Sequence, residues 1–221
     1  MQLLREETAW IDELVSTACQ LQRLREDRYH EAHPTDPDPW LATAFGNQLH
    51  FLQPRPGEVR LWFDQIHAVS QICRFGGHTR RFYGVGEHSV RVHDLLVSWR
   101  RSKSTCLAGL LHDLGEAWYQ DMPSPIKRQP GMGWYRAQER AVQAAIWQAA
   151  GLQDVDVEAI RLADLTLLAT ERQALLAPQT WDFPLPPPIS FPWWDRMGWG
   201  PWRARRVFLR RLADYDLPES A

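Results

Sequence analysis

The segment AGLLHDLGEAWYQDMPSPIK, residues 108–127, combines ionisable side chains with an apolar pattern that is typical of a buried helix. Its ionisable groups are His112, Asp113, Glu116, Asp121 and Lys127. Outside it, His88 and Asp164 fall on the inward stripes of other predicted helices. Carboxylates and imidazoles that converge on a core need a compensating charge, because burying an unpaired carboxylate costs several kcal/mol. A divalent cation supplies that charge.

The sequence predicts four metal ligands, which are His88, His112, Asp113 and Asp164. Nitrogen and oxygen ligands together suit zinc, cobalt, manganese or iron, and magnesium is possible with a triphosphate substrate. One divalent ion held in this way keeps a position open for water and lowers the pKa of that water toward neutrality. The pattern therefore predicts a hydrolytic metal centre.

Two carboxylates near these ligands are expected to move protons. Glu116 lies one turn beyond His112 and so projects from the same side of a continuous helix, and Asp121 follows that helix. Cationic and hydrogen-bonding groups for an anionic substrate are expected from Arg74, Lys127 and His78. Together these residues predict hydrolysis of a phosphate ester.

The series GEHS, LLHDLGEAWYQDMPSPIK and ADLTLLATE resembles the HD-domain phosphohydrolases. It is most similar to the branch that contains the bacterial 5′-deoxynucleotidases and the phage dATP triphosphohydrolases. The upstream RFGGHTRRFYGVGEHS looks more like the phage type, and the resemblance covers residues 40–176. The family reads close to YSVAEHS where this chain has YGVGEHS, and Gly84 and Gly86 predict a looser turn there.

This resemblance implies a fold, a function and a set of roles. It implies an all-helical domain that forms dimers or larger homo-oligomers and hydrolyses a dNTP, with dATP favoured, to deoxynucleoside and triphosphate. The implied roles are one metal on His88, His112, Asp113 and Asp164, catalysis by Glu116 and Asp121, and phosphate contacts from Arg74 and Lys127. Alternatives are a 5′-deoxynucleotidase that releases phosphate from dNMPs and a non-catalytic nucleotide-binding sensor.

The elements that must position these residues are predicted from apolar periodicity. Helices are predicted near residues 1–27, 58–73, 87–99, 105–118, 134–150 and 155–176, with a hairpin or loop at 40–56 and a short basic helix after Pro201. The predicted fold class is all-α, an HD-domain helical bundle with an appended N-terminal helix and a Pro/Trp-rich C-terminal extension. The predicted boundaries are residues 1–36, 37–177 and 178–221.

Composition and charge argue against some classes of function. The 221 residues are 44% hydrophobic and 24% charged, and the formal net charge of -2 gives no general attraction to nucleic acid or anionic lipid. The bases of the C-terminal helix surround it, so a nucleic-acid-binding or scaffold role is disfavoured. Three dispersed cysteines predict a reducing compartment. The acidic start argues against a signal peptide and no stretch approaches the roughly 18 apolar residues of a membrane span, so a cytoplasmic protein is predicted.

Two further polar groups are expected to be structural. The second His-Asp dipeptide of the chain, His93 and Asp94, places its histidine beside the inward Val92, so a local or solvated pair is predicted. Glu171 lies two turns after Asp164 and is predicted to pair with an arginine.

Overall fold

The computed structural model describes residues 17, 20, 38–181, 183–189 and 197–218. The chain divides into two compact units, Met1–Pro39 and Trp40–Ala221. In the first unit Thr17 and Gln20 are helical, and the rest of the helix predicted near residues 1–27 lies outside the described residues. The elements named below belong to the second unit.

The second unit is mostly helical, which confirms the predicted all-α class. Strand β1 (Trp40–Ala42) pairs antiparallel with β2 (Gln48–His50) in the predicted hairpin, with Trp40 opposite His50. The helices are α1 (Trp62–Gln71), α2 (Val85–Ser98), α3 (Lys103–Leu110), α4 (Glu116–Tyr119), α5 (Ser124–Lys127), α6 (Gly133–Ala149), α7 (Val157–Leu175) and α8 (Pro201–Leu212). Short 3-10 turns cover Glu58–Arg60, Arg74–Gly77 and Pro130–Met132. Within the described residues, no helix is long and apolar enough to cross a membrane.

Helix α2 lies at the centre of the unit and packs against α1, α3, α7 and α8. Its side chains belong to two apolar clusters. Val90 packs in one cluster with Leu110 and Phe208, and Val92 packs in the other with Leu167. Most of its residues are buried, so α2 is a rigid support for whatever projects from it.

The third predicted helix, residues 105–118, is not continuous. Helix α3 ends at Leu110, and tight turns connect it to α4 at Glu116. The side chain of Gln143 on α6 stabilises this break. It accepts a hydrogen bond from Gly115 N at 3.2 Å and donates one to Leu111 O at 2.8 Å. The polar groups that leave the helical ladder are thereby satisfied, as buried backbone requires.

Gly84 and Gly86 do not loosen the turn before α2. Both have negative φ or helical geometry, and what they provide is a close approach to the end of α1. A Cβ at Gly86 would lie 2.8 Å from Ser70 Oγ and 3.1 Å from Ser70 Cα. The glycine therefore allows two backbones to meet two residues before His88.

The His93–Asp94 pair attaches the C-terminal segment to α2. His93 Nδ1 lies 2.8 Å from Asp94 Oδ1, and Arg211 of α8 donates to both Asp94 oxygens at 2.8 and 3.0 Å. The predicted local pairing is confirmed. Nearby, buried Glu87 accepts the backbone N–H groups of Gly198 and Trp199 at 3.1 and 2.6 Å.

Replacing Gly86 by alanine is expected to lower the free energy of unfolding by about 1–3 kcal/mol, because the methyl group must displace backbone of Ser70. Chemical denaturation measures this loss. Gly133→Ala is the control, since the nearest atom to its Cβ is the flexible end of Arg136 at 4.0 Å. A Gly86→Ala variant as stable as the Gly133→Ala variant would contradict the close-approach explanation.

Candidate metal centre

His88 projects from the first turn of α2 into a fully buried site. Its Nδ1 lies 2.6 Å from Oε1 of Glu171 on α7, and Tyr83 donates its hydroxyl to the same oxygen at 2.7 Å. A carboxylate can only accept, so Nδ1 of His88 carries the proton. The other ring nitrogen, Nε2, faces away from Glu171, toward His112 and Asp113.

His112 is fixed in the same way by backbone. It lies in the turn between α3 and α4, where its Nδ1 donates to Gly109 O at 2.8 Å. A carbonyl oxygen has no proton to give, so the lone pair of this ring also resides on Nε2. The break in the predicted helix is what turns His112 and the adjacent Asp113 toward α2.

Acceptor atoms of His88, His112 and Asp113 converge, and Asp164 lies beside His88. Nε2 of His88 lies 3.3 Å from Nε2 of His112 and 3.6 Å from Oδ2 of Asp113, and the last two atoms are 3.2 Å apart. Asp164 of α7 places Oδ1 3.1 Å from Nε2 of His88. The ligand atoms of His88, His112 and Asp113 all lie within 4.8 Å of one another, so these three residues could hold a metal ion.

Lone pairs of imidazole nitrogen and of carboxylate oxygen repel one another at these distances unless a proton or another positive charge lies between them. Both Nδ1 protons are already used in hydrogen bonds to Glu171 and Gly109, so neither ring can supply that charge without a further proton. The donor set of imidazole nitrogen and carboxylate oxygen fits a borderline divalent metal. The residues therefore fit the predicted cation.

The same convergence changes the proton affinities of the ligands. Burial and Arg74 lower the pKa of His88, but Glu171 and Asp164 raise it more, to about 9. Burial raises the pKa of Asp113, yet the nearby rings of His112 and His88, together with Arg74, hold it far below its ordinary value. The site therefore favours a positive charge at its centre, which a proton or a metal ion can provide.

Arg74, a predicted phosphate contact, is buried and paired with protein carboxylates. Its Nε donates to Glu171 Oε2 at 3.3 Å, and its Nη1 lies 3.5 Å from Asp113 Oδ2. The prediction that Glu171 pairs with an arginine is confirmed. Glu171 thus connects the Arg74 guanidinium to the His88 ring, and these two charges hold its pKa at about 2 although burial raises it.

Glu116 begins α4 beside the metal centre and is 4% exposed. The expectation that a continuous helix would align it with His112 is wrong, yet the broken helix still brings it near Asp113. Its Oε2 is buried and accepts no hydrogen bond from the described residues. Burial and the charges of Asp113 and Asp121 raise its pKa well above the ordinary value, which favours the protonated form of Glu116.

Asp121 and Lys127 lie on the Glu116 side of the centre. Lys127 Nζ is 2.5 Å from Glu139 Oε1 and 3.8 Å from Glu116 Oε1. Burial raises the pKa of Asp121, with Arg74 opposing and Asp113 reinforcing that shift. The predicted catalytic carboxylates and the predicted lysine therefore lie close enough to shift one another's pKa.

The backbone before Asp121 adopts a conformation that non-glycine residues rarely take. Gln120 has φ 66° and ψ 163°, which is strained for a side-chain-bearing residue. Tyr135 stabilises it by donating its hydroxyl toward Tyr119 O at 2.9 Å and Gln120 O at 3.0 Å. This conformation ends α4 directly before Asp121.

His78 is the predicted site residue that the described contacts do not join to the centre. Its side chain is exposed after the turn Arg74–Gly77, and its backbone N–H donates to Phe75 O at 3.0 Å. Glycines allow this loop unusual backbone angles, so the spacing of residues in the sequence does not determine where His78 lies.

Sequence reasoning missed three polar residues that support the site. Glu171 was expected to pair with an arginine but not to orient His88, while Glu139 and Gln143 were not singled out. The signal was present, since Glu139 and Gln143 stand at i and i+4 on one face of α6 and Glu171 stands seven residues after Asp164. Such spacing shows that side chains share a helix face, but not which neighbouring helix they contact.

Asp113→Asn is expected to weaken binding of a divalent metal by about 100-fold or more, because it removes a charged ligand from the cluster. Metal content after dialysis and competition with a chelator measure the loss. Asp94→Asn is the matched control, because Asp94 also follows a histidine but pairs with Arg211 away from the cluster. Equal metal affinity in the two variants would contradict the proposed centre.

Comparisons with known proteins add relatives but no activity. The chain is 37% identical over 108 residues to uncharacterized protein YfdR of Escherichia coli, a match that covers 49% of this chain and 57% of that protein. It is 31% identical over 115 residues to uncharacterized protein RCAP_rcc00048 of Rhodobacter capsulatus, covering 48% of this chain and 55% of that protein. The matches thus span little more than half the length of these relatives, and no protein-family model matches the chain. Its function must therefore be argued from the site.

Proposed function

We propose that the protein is a metal-dependent phosphohydrolase that acts on deoxynucleotides. The observation that carries this proposal is the convergence of the His88, His112 and Asp113 ligand atoms beside a buried carboxyl group, Glu116, that has a free oxygen among the described residues. A site that only bound a metal would not need a protonated carboxyl group next to it, whereas ester hydrolysis needs a proton donor. Resemblance to the HD-domain phosphohydrolases supports the same reaction.

In this proposal Asp164 is the fourth ligand, because its Oδ1 already lies 3.1 Å from Nε2 of His88. Its side chain is 38% exposed, so it can shift toward the ion at little cost. The mixed ligand set suits manganese, cobalt, iron or zinc. When bound, such an ion would polarise a phosphoryl oxygen and acidify water.

The chain's own residues would then handle protons and charge. Hydrolysis forms a bond from water oxygen to phosphorus and breaks the bond from phosphorus to the 5′ oxygen, which must gain a proton. Glu116, whose pKa its surroundings raise, donates a proton to that leaving oxygen, and the partly exposed Asp121 accepts the proton of water and passes it to solvent. Arg74 and Lys127 stabilise negative charge that develops on the phosphoryl group.

The substrate class has two candidates. Resemblance to the phage-type enzymes favours a dNTP, with dATP first, that is cut at its α-phosphorus to deoxynucleoside and triphosphate. One observation favours a dNMP instead, which is that Arg74 and Lys127 are both already paired with protein carboxylates. A monophosphate brings less negative charge and so requires less uncommitted positive charge than a triphosphate. Homo-oligomer formation and a cytoplasmic location remain predictions from the sequence.

The proposal is tested by incubating the protein with dNMPs, dNTPs and ribonucleotides in the presence of Mn²⁺, Co²⁺, Zn²⁺ or Mg²⁺. Orthophosphate and triphosphate are separated among the products. We expect metal-dependent release from deoxynucleotides, with triphosphate identifying the dNTP activity and orthophosphate from dNMPs identifying the nucleotidase. Tight nucleotide binding by the metal-loaded protein without any product would instead support a non-catalytic sensor and refute the hydrolase.

Glu116→Gln is expected to keep the metal and to lower kcat by about 10²–10⁴-fold, because the amide preserves shape but cannot donate an acidic proton. Metal content and steady-state kinetics on the same preparation separate the two effects. Glu158→Gln, an exposed change on α7 where the carboxylate pairs with Arg161, is the control. A Glu116→Gln variant with full kcat would remove Glu116 from the mechanism.

A further inference from the structure

A second cavity, of about 580 Å³, lies between the C-terminal half of α7 and the proline-rich segment that follows it. Its volume falls within the range of about 300–1,000 Å³ that is typical of small-molecule sites. Helix α7 lines it with Ala169, Arg172 and Gln173, which recur at the i, i+3 and i+4 spacing of one helix face, and Leu176 follows directly after the helix. The opposite wall includes Pro186, Pro187 and Pro188.

This cavity is separate from the metal centre. Asp164 and Glu171, which serve the metal centre, share a different face of α7. At 3.6 residues per turn, the face that lines the cavity lies roughly 140° around the helix from those two carboxylates. A ligand in the cavity would therefore meet different side chains from a ligand on the metal ion.

Specific contacts attach the proline-rich segment to α7 at both ends of the cavity. Ile189 N donates to Thr170 Oγ1 at 3.0 Å, which attaches the end of the proline segment to α7. Nearer its start, the guanidinium carbon of Arg172 lies 5.2 Å from the centroid of the Trp181 ring. Prolines have a fixed φ and no N–H group, so the run Pro186, Pro187 and Pro188 is stiff and has no backbone donor to satisfy across the gap. The space is therefore preformed.

Positive charge and hydrogen-bond donors dominate the polar lining. Arg80 and Arg172 line the cavity with the amides of Gln173 and Gln179, and none of the described lining residues is acidic. Neither arginine has a carboxylate partner among the described ion pairs, in contrast to Arg74 and Lys127 in the metal centre. The backbone N–H of Arg80 donates to Leu175 O at 3.0 Å, which satisfies a carbonyl at the negative end of α7.

We propose that this cavity binds the phosphate group of a small phosphorylated molecule, with Arg80 and Arg172 as its anion contacts. Guanidinium groups match phosphate oxygens through paired N–H donors, and the apolar proline and leucine wall suits the organic part of such a ligand. The site does not depend on the proposed hydrolase activity. Because Arg172 follows Glu171 directly in α7, a ligand here also borders the helix that orients His88.

The test measures binding of dAMP, inorganic phosphate and deoxyadenosine to the full chain by calorimetry in the presence of EDTA, which keeps metal from recruiting phosphate to the other site. We expect dAMP to bind more tightly than phosphate and deoxyadenosine not to bind. Arg80→Gln and Arg172→Gln should each weaken dAMP by about tenfold or more, because each removes a charged donor. Asp113→Asn should leave this binding unchanged.

Arg161→Gln is the matched control, since Arg161 is an exposed arginine of the same helix that pairs with Glu158 outside the cavity. Both cavity arginines are at least partly exposed, so their variants are expected to keep the thermal midpoint of the native chain. Absence of dAMP binding, equal binding of deoxyadenosine, or unchanged dAMP binding in both cavity variants would each overturn the proposal. None of these results would bear on hydrolysis at the metal centre.

Discussion

The structure depends on an electrostatic constraint, which is that imidazole and carboxylate acceptors from three distant segments are held together inside a helical core. The hydrogen bonds that hold them act on the far side of each ring, from Glu171 to His88 and from Gly109 to His112. Those bonds fix the tautomers and direct both Nε2 atoms inward. Without positive charge between the acceptors the arrangement would be repulsive, and a proton or a metal ion could supply that charge.

The surrounding architecture follows from that requirement. A histidine ligand must be immobile, and α2 provides this because it is packed on several sides by other helices. Gly86 lets the start of α2 approach α1 at Ser70, while Glu87 secures the same turn to the C-terminal segment through Trp199 N. The turn that carries His88 is thus restrained from both sides. Conversely, Gln143 stabilises a break that a regular helix would not contain, and this break presents His112.

Much of this could be predicted from sequence because apolar periodicity reports which helix face is buried. It identified the all-α class, most helices and the inward position of His88, whereas the side chain of Asp164 is 38% exposed. Periodicity could not predict the interruption after Leu110, because the signal for it is Gln143, which lies more than thirty positions beyond the break in the chain. The carboxylate partners of Arg74 and Lys127 could not be predicted for the same reason, since each partner lies on another helix.

The break in the helix determines which charges surround Glu116. A regular helix from residue 105 to 118 would keep Asp113 and Glu116 on one continuous surface, with backbone groups between them satisfied locally. The observed turns instead bury Glu116 while leaving its Oε2 without a described partner, and Lys127 is drawn mainly to Glu139. Lys127 Nζ lies closer to Glu139 than to Glu116, which leaves less positive charge beside the Glu116 carboxyl group. The competing carboxylate of Glu139 therefore helps to keep the pKa of Glu116 raised.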